Sequence, residues 1–279
     1  MAAIRNSEKT IKYLLENYAS IPNLDLNQPE DTGHTPVNAA AGWGRVSILR
    51  LLLQHPGPPH ADVSKPSDFG YTPLISAVAE DSLGAVQVLF ECVQDPRELA
   101  VDACDSSGRT ALIEAANRGN TPIVRALLDN PRGIPVDVNV ATKSGRTALM
   151  EGAYIGVAEI VQALLGYSRG PTVDINAKDR TGRTALMEAA RSAHGLGALK
   201  VLLGHRSGGA LVDVNATDNE GRTALIYATA DGRLGAVKAL LECPGVDVNW
   251  RAGDGKTALI VAGEQALARE GQSGKVYRE

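Results

Sequence analysis

Metal sites and hydrolytic centres are built from histidine, cysteine and clustered carboxylates, and this 279-residue chain offers few of these in a useful pattern. Its five histidines, His34, His55, His60, His194 and His205, are scattered, and none stands at metal-ligand spacing from a cysteine. The three cysteines, Cys92, Cys104 and Cys243, are odd in number with no paired spacing. That suits reduced thiols better than a disulfide framework. Gly271-Gln272-Ser273-Gly274-Lys275 faintly suggests a phosphate loop, but the glycine spacing is wrong and Val276 stands where a hydroxyl is needed. The glycine-rich stretch from Gly204 to Gly209 reads as a connector. Serine, aspartate and glutamate are plentiful, yet caps and turns account for them, and no nucleophile, base and orienting group form a set. The expectation is a non-enzymatic chain with no metal and no cofactor.

Charge recurs in a different pattern. Arg109 is followed five residues on by Glu114, Arg146 by Glu151 and Arg183 by Glu188. Arg222 is followed at the same interval by Tyr227, and the arginine position is occupied elsewhere by His34, Tyr71 and Lys256. The partner positions there are Ala39, Ser76 and Val261. Two outcomes are open for such columns. The charges can pair with one another, each exposed pair contributing about 0–1 kcal/mol. Or they can form a strip that selects a partner by electrostatic complementarity.

The elements that position these residues form a repeat. Gly182-Arg183-Thr184-Ala185-Leu186-Met187-Glu188-Ala189-Ala190 has counterparts starting at Gly33, Gly70, Gly108, Gly145, Gly221 and Gly255. Successive glycines lie 37, 38, 37, 37, 39 and 34 residues apart. A self-similar unit at such a period decides the architecture. Each unit has a turn rich in Asp, Asn and Gly, such as Asp213 to Gly221. A short helix capped by threonine follows: Thr35, Thr72, Thr110, Thr147, Thr184, Thr223 and Thr257 take this place. Pro36 and Pro73 fit the first helical position, where no amide hydrogen is needed. The unit ends in an outer helix with an apolar stripe, as in Ile48, Leu49, Leu52 and Leu53, then Ile123, Val124, Leu127 and Leu128. The stripe returns at Ile160, Val161, Leu164 and Leu165 and at Ala236, Val237, Leu240 and Leu241. Ahead of the units, Ile11, Leu14, Leu15 and Tyr18 share one helical face, with Ser7 as N-cap and Ile21-Pro22 as terminator.

Turn glycine, capping threonine, paired alanines and leucine pair together resemble the ankyrin repeat. The resemblance spans nearly the whole chain and implies an all-α solenoid of helix–turn–helix pairs with short β-hairpin fingers. It divides residues 1–279 into one domain: a capping helix at 1–23, repeats at 24–60, 61–98, 99–135, 136–172, 173–211 and 212–245, and an incomplete repeat at 246–279. Surface insertions are expected at Pro56-Gly57-Pro58-Pro59 and Ser207-Gly208-Gly209, and a one-residue insertion near Ala193-His194-Gly195. Asp81 replaces an inter-helix glycine. The histidine usual in the family's first helix is replaced by Asn38, Ile75, Ile113, Met150, Met187, Ile226 and Ile260, so its hydrogen bonds between units are expected to be lost. The last unit shows no leucine pair for an outer helix.

The resemblance also implies a protein-binding module that uses fingertips and the concave inner-helix face. On that pattern Trp43, Phe69, Tyr71, Tyr154 and Ile155 fall at exposed positions, where apolar residues mark interfaces. Arg109, Glu114, Arg146, Glu151, Arg183, Glu188 and Arg222 complete the candidate partner-binding set, with Arg183 and Glu188 having no structural task of their own. The TALM and TALI motifs are also similar to ankyrin regions that sense oligoadenylate upstream of a ribonuclease, a ligand-sensing alternative. Asn139, Asn176, Asn215 and Asn249 match a turn asparagine that is hydroxylated in some family members, though capping of the turn is the preferred reading for them. A net charge of −4 gives no basic excess for nucleic acid. The start, Met1 to Leu15, has no apolar signal core, and no apolar run is long enough to span a membrane. Asn215-Ala216-Thr217 is therefore discounted as a glycosylation site. A monomer in the cytoplasm or nucleus, bound to protein partners, is expected.

Overall fold

The computed structural model describes residues 8–21, 23–55, 60–93, 95–205 and 211–273. Ser7, Pro22, the Pro56–Pro59 and Ser207–Gly209 insertions, Arg206, Ala210 and the Gly274-Lys275 end of the glycine-lysine run lie outside the described residues. The chain forms two compact units, residues 1–143 with 167–171, and residues 144–166 with 172–279.

In the first unit the helices are α1 (Glu8–Glu16), α2 (Pro36–Gly42), α3 (Val46–Leu53), α4 (Pro73–Ala79), α5 (Leu83–Cys92), α6 (Ala111–Asn117) and α7 (Thr121–Leu128). The short helices α2, α4 and α6 pack side by side as an inner layer; α1, α3, α5 and α7 form the outer layer behind them. In the second unit α8 (Ala148–Ile155), α10 (Ala185–Arg191), α12 (Ala224–Ala230) and α14 (Ala258–Ser273) make the inner layer. Helices α9 (Ala158–Leu165), α11 (Leu196–Gly204) and α13 (Leu234–Leu241) make the outer one. The all-helical repeat architecture is thus the one expected, with α14 as a single helix where earlier repeats show a pair.

Local chemistry explains each start and stop. The Thr35 hydroxyl accepts from the Asn38 amide at 3.2 Å, and six further threonines do the same for the residue three positions on. Five inner helices then end on a residue at positive φ: Gly44, Gly119, Gly156 and Gly232, with Asp81 at φ 54° taking that place in the second repeat; α10 instead ends on Ser192 in an extended conformation. Ala40, Ala77, Ala115 and Ala189 are fully buried, which lets the inner helices approach closely. The outer stripes are buried at Ile48, Leu49, Leu52, Ile123, Val124, Leu127, Leu128, Ile160, Val161 and Leu164. On α13 only Ala236 and Leu240 are buried, and Leu241 lies exposed. No outer helix follows α13 among the described residues to cover it.

The fingers are hydrogen-bonded turns, with isolated bridge residues at Ala141 and Thr147 and no extended strand among the described residues. In one of them the Asp105 carboxylate accepts from the amides of Ser107 at 2.7 Å and Arg109 at 2.9 Å, and the Gly108 amide donates to the Asp105 carbonyl. A Cβ on Gly108 would lie 2.8 Å from the Lys143 nitrogen, so the next finger tolerates no side chain there. Turn asparagines tie consecutive fingers together: Asn176 donates to the Leu211 carbonyl and accepts from the Asp213 amide, and Asn215 does the same with Gly245 and Asp247.

Candidate functional site

The two columns of positions on the inner helices produce opposite results in different repeats. In the first two repeats they leave a groove of about 340 Å³ between α2 and α4. Threonine caps set the start of both helices, and the small residues Ala39, Gly42 and Ala79 leave the space unfilled. Trp43, the C-cap of α2, stands at the rim with 60% of its surface exposed. Tyr71, from the second finger, is half-buried and also faces the groove. Phe69 is 58% exposed on the same finger but is not part of the groove lining. Of the three aromatics singled out in this region, the fold brings Trp43 and Tyr71 together.

The groove's polar lining includes two carboxylates and no lysine or arginine. Glu30 and Glu80 are exposed carboxylates. Glu80 forms no ion pair among the described residues, while Glu30 accepts from Thr32 Oγ1 at 2.9 Å. His34 is held by Thr32 Oγ1 at 2.8 Å and lies 3.6 Å from Glu30. Asn38 and Ser76 are buried in the walls, and Asn38 Oδ1 and Ser76 Oγ have no hydrogen-bond partner among the described residues. Arg109 lies within electrostatic reach of the Tyr71 hydroxyl and is itself held by Asp105 at 3.2 Å and Glu114 at 3.1 Å.

Asn38 corrects one expectation. Its Nδ2 donates to the Lys65 carbonyl at 3.0 Å, so a hydrogen bond between consecutive repeats survives at this position. At the equivalent positions Ile75, Ile113, Met150, Met187 and Ile226 are buried and make apolar contact instead. The signal was present in the column, where Asn38 is the one polar member. Glu30, Asn38, Ser76 and Glu80 were not among the candidate binding residues.

In the second unit the same columns close on themselves. Arg146 makes a two-pronged bond to Glu151, at 2.6 and 3.0 Å, and reaches Glu188 at 3.2 Å. Arg183 meets the same Glu188 oxygen at 3.2 Å, and Arg191 its other oxygen at 3.7 Å. Glu188 is 0% exposed and is thus the centre of an ion cluster, not a free specificity residue. Burial works against the charge on Arg146, but Glu151 and Glu188 more than offset it and hold its pKa above the ordinary value. Arg222 grips Asp218 at 2.9 Å and stacks 4.8 Å from the Tyr227 ring. Tyr154, 44% exposed, has Arg146 and Arg191 each 5.8 Å from its centroid; Ile155 beside it is half-buried. In the first unit Glu114 is likewise buried, between Arg109 and Arg118. Pairing is therefore the outcome for these arginines, and the buried glutamates orient them.

No group of residues able to hold a metal ion occurs among the described residues, and no described helix is long and apolar enough to cross a membrane. The family profile described as ankyrin repeats in three copies matches in overlapping windows at residues 1–98, 58–140, 94–179, 131–210, 158–252 and 195–269. Comparison with curated protein sequences returns no match. Among solved structures, the crystal structure of the ankyrin repeat domain of Bcl-3, described as a unique member of the IkappaB protein family, is 28% identical. It superposes with a TM-score of 0.66, over 83% of this chain and 95% of that one.

Proposed function

Because the chain belongs to the ankyrin-repeat family, whose repeats generally mediate protein–protein interaction, we propose that it is a non-catalytic recognition module that seats a protein partner on inner helices α2 and α4. The observation that carries this is Trp43, whose exposed indole stands over a groove that also presents Tyr71. Exposed aromatics beside a ready-made recess are the usual anchors of an interface. The surface is built before the partner arrives, so little ordering entropy is lost on binding. Phe69 extends the surface onto the fingertip. In the second unit, the arginine–tyrosine ladder of α8, α10 and α12 carries the exposed Tyr154.

Oligoadenylate sensing lacks a matching feature in this groove. Its phosphates would meet Glu30 and Glu80, and His34 is already engaged by Thr32 and Glu30. Affinity capture from the native cell tests the proposal. Trp43→Ala combined with Tyr71→Ala is expected to weaken partner recovery about thirtyfold, the effect of losing a hot spot, while the melting curve shows the chain still folded. Equal recovery of the same proteins by wild type and variant would overturn it.

A further inference from the structure

We propose that the groove between α2 and α4 is a receptor for an arginine side chain, presented by an exposed segment of the protein partner. The inference rests on the recognition role above and specifies its chemistry. Three independent features converge on a guanidinium. Trp43 and Tyr71 line the groove, and aromatic rings attract a cation through the ring quadrupole. Glu80 is an exposed carboxylate without an ion-pair partner among the described residues, and Glu30 adds a second negative group. The walls also hold two buried oxygens without a hydrogen-bond partner among the described residues: Asn38 Oδ1, which can only accept, and Ser76 Oγ, a hydroxyl that can accept or donate.

A buried polar atom without a partner is costly, so its natural complement is a ligand group that donates. Guanidinium carries five N–H donors in a planar fork and accepts nothing. It stacks on an aromatic ring and bonds at its edges at the same time. An ammonium is a compact, strongly hydrated charge and gives up more solvation on entering such a recess. A phosphate or carboxylate ligand would face like charge from Glu30 and Glu80 and would leave Asn38 Oδ1 without a donor.

The test uses the full chain and short blocked peptides of the form Gly-Gly-X-Gly-Gly. The chain has two tryptophans. Trp250 donates its indole hydrogen to the Gly221 carbonyl at 2.8 Å, so the two indole signals are separable by nitrogen–proton correlation spectroscopy. Trp43→Phe assigns the groove signal. With X as arginine, the Trp43 signal is expected to shift to saturation. With X as citrulline, which keeps the shape but loses the charge, it is expected not to move. Glu80→Gln, at an exposed site, is expected to weaken the arginine peptide about fivefold, the loss of one ion pair.

An arginine peptide that shifts Trp43 no more than citrulline does would overturn the inference. So would a lysine peptide binding as tightly as arginine, or a phosphoserine peptide moving the signal in their place. The recognition role fails separately. If cellular capture depends on Trp43 and Tyr71 while the arginine peptide does nothing, recognition at the groove stands and the guanidinium assignment falls.

Discussion

The groove on α2 and α4 and the ladder on α8, α10 and α12 occupy equivalent positions of one repeat, yet one is open and the other closed. In the ladder each first position carries arginine and the following one glutamate or tyrosine, so every cation finds an internal partner. Arg146, Arg183, Arg191 and Arg222 are all held by carboxylates. In the groove the same positions carry His34 with Ala39 and Tyr71 with Ser76, which supply no cation–carboxylate pair. The lesson is that the backbone repeat supplies positions, and complementary side chains decide whether a position serves stability or recognition. Arg109 and Glu114 show that this is a property of the residue pair and not of the unit, because they close the third repeat next to the open second one.

If the ladder is structural, its centre is where damage will be greatest. Glu188→Ala removes the carboxylate shared by Arg146, Arg183 and Arg191 and leaves guanidinium groups facing one another. Loss of one member of a buried ion cluster costs about 3–5 kcal/mol; because these arginines are partly exposed, about 3 kcal/mol is expected. Urea denaturation measures it. A loss below about 1 kcal/mol would place the ladder with ordinary surface pairs and break the contrast with the groove.

A smaller effect, with a characteristic pH window, is expected at the end of the ladder. The Tyr227 hydroxyl donates to Asp218 Oδ2 at 2.7 Å. Burial and that hydrogen bond push the tyrosine pKa up to about 12 from an ordinary value of 10. For Asp218, burial opposes the charge, but the bonds from Tyr227 and Arg222 outweigh it and hold the carboxyl below its usual range. The raised tyrosine stabilises the neutral form in the fold. Its contribution is therefore complete below pH 10 and lost as pH rises through about 12. The depressed aspartate acts at the other end, contributing above its unfolded pKa and losing that contribution as pH falls through the folded one. Tyr227→Phe should cost about 1–2 kcal/mol at neutral pH, and the gap to wild type should narrow between pH 10 and 12. A gap that stays constant to pH 12 would show that the hydrogen bond to Asp218 is not what holds the ring.

Much of this was legible from sequence because it is local and periodic. The threonine caps, turn glycines and apolar stripes need only a few neighbouring residues to act, and each recurs where the repeat places it. Trp43 announced itself by breaking the pattern. What could not be read depends on contacts between repeats. Glu188 looked free because burial is supplied by neighbouring residues, Arg146, Arg183 and Arg191 among them, that close over it. The column pairing of Arg146 with Glu151 was visible at an interval of five residues, but its second bond, to Glu188, crosses into the following repeat. Asn38 was read as a lost hydrogen bond because its acceptor, the Lys65 carbonyl, lies 27 residues away.

The smallest expected effect on stability is also the sharpest test of the comparison, because it converts one region into the other. Tyr71→Arg with Ser76→Glu writes the ladder's pair into the groove. Ser76 is buried, but so are Glu114 and Glu188 at the equivalent position, so the site accommodates a glutamate when an arginine accompanies it. Alone, Ser76→Glu should cost about 3 kcal/mol or more, as a charge buried without a partner. The double variant should recover most of that loss and end within about 1 kcal/mol of wild type. Its arginine would then occupy the groove from within the chain, supplying donors to the recess in place of an external ligand. Binding of the arginine peptide should disappear although the fold is intact. A double variant as unstable as the single one would show that the two positions do not pair here. One that still bound the peptide would show that the groove and the ladder are not alternative fillings of the same positions.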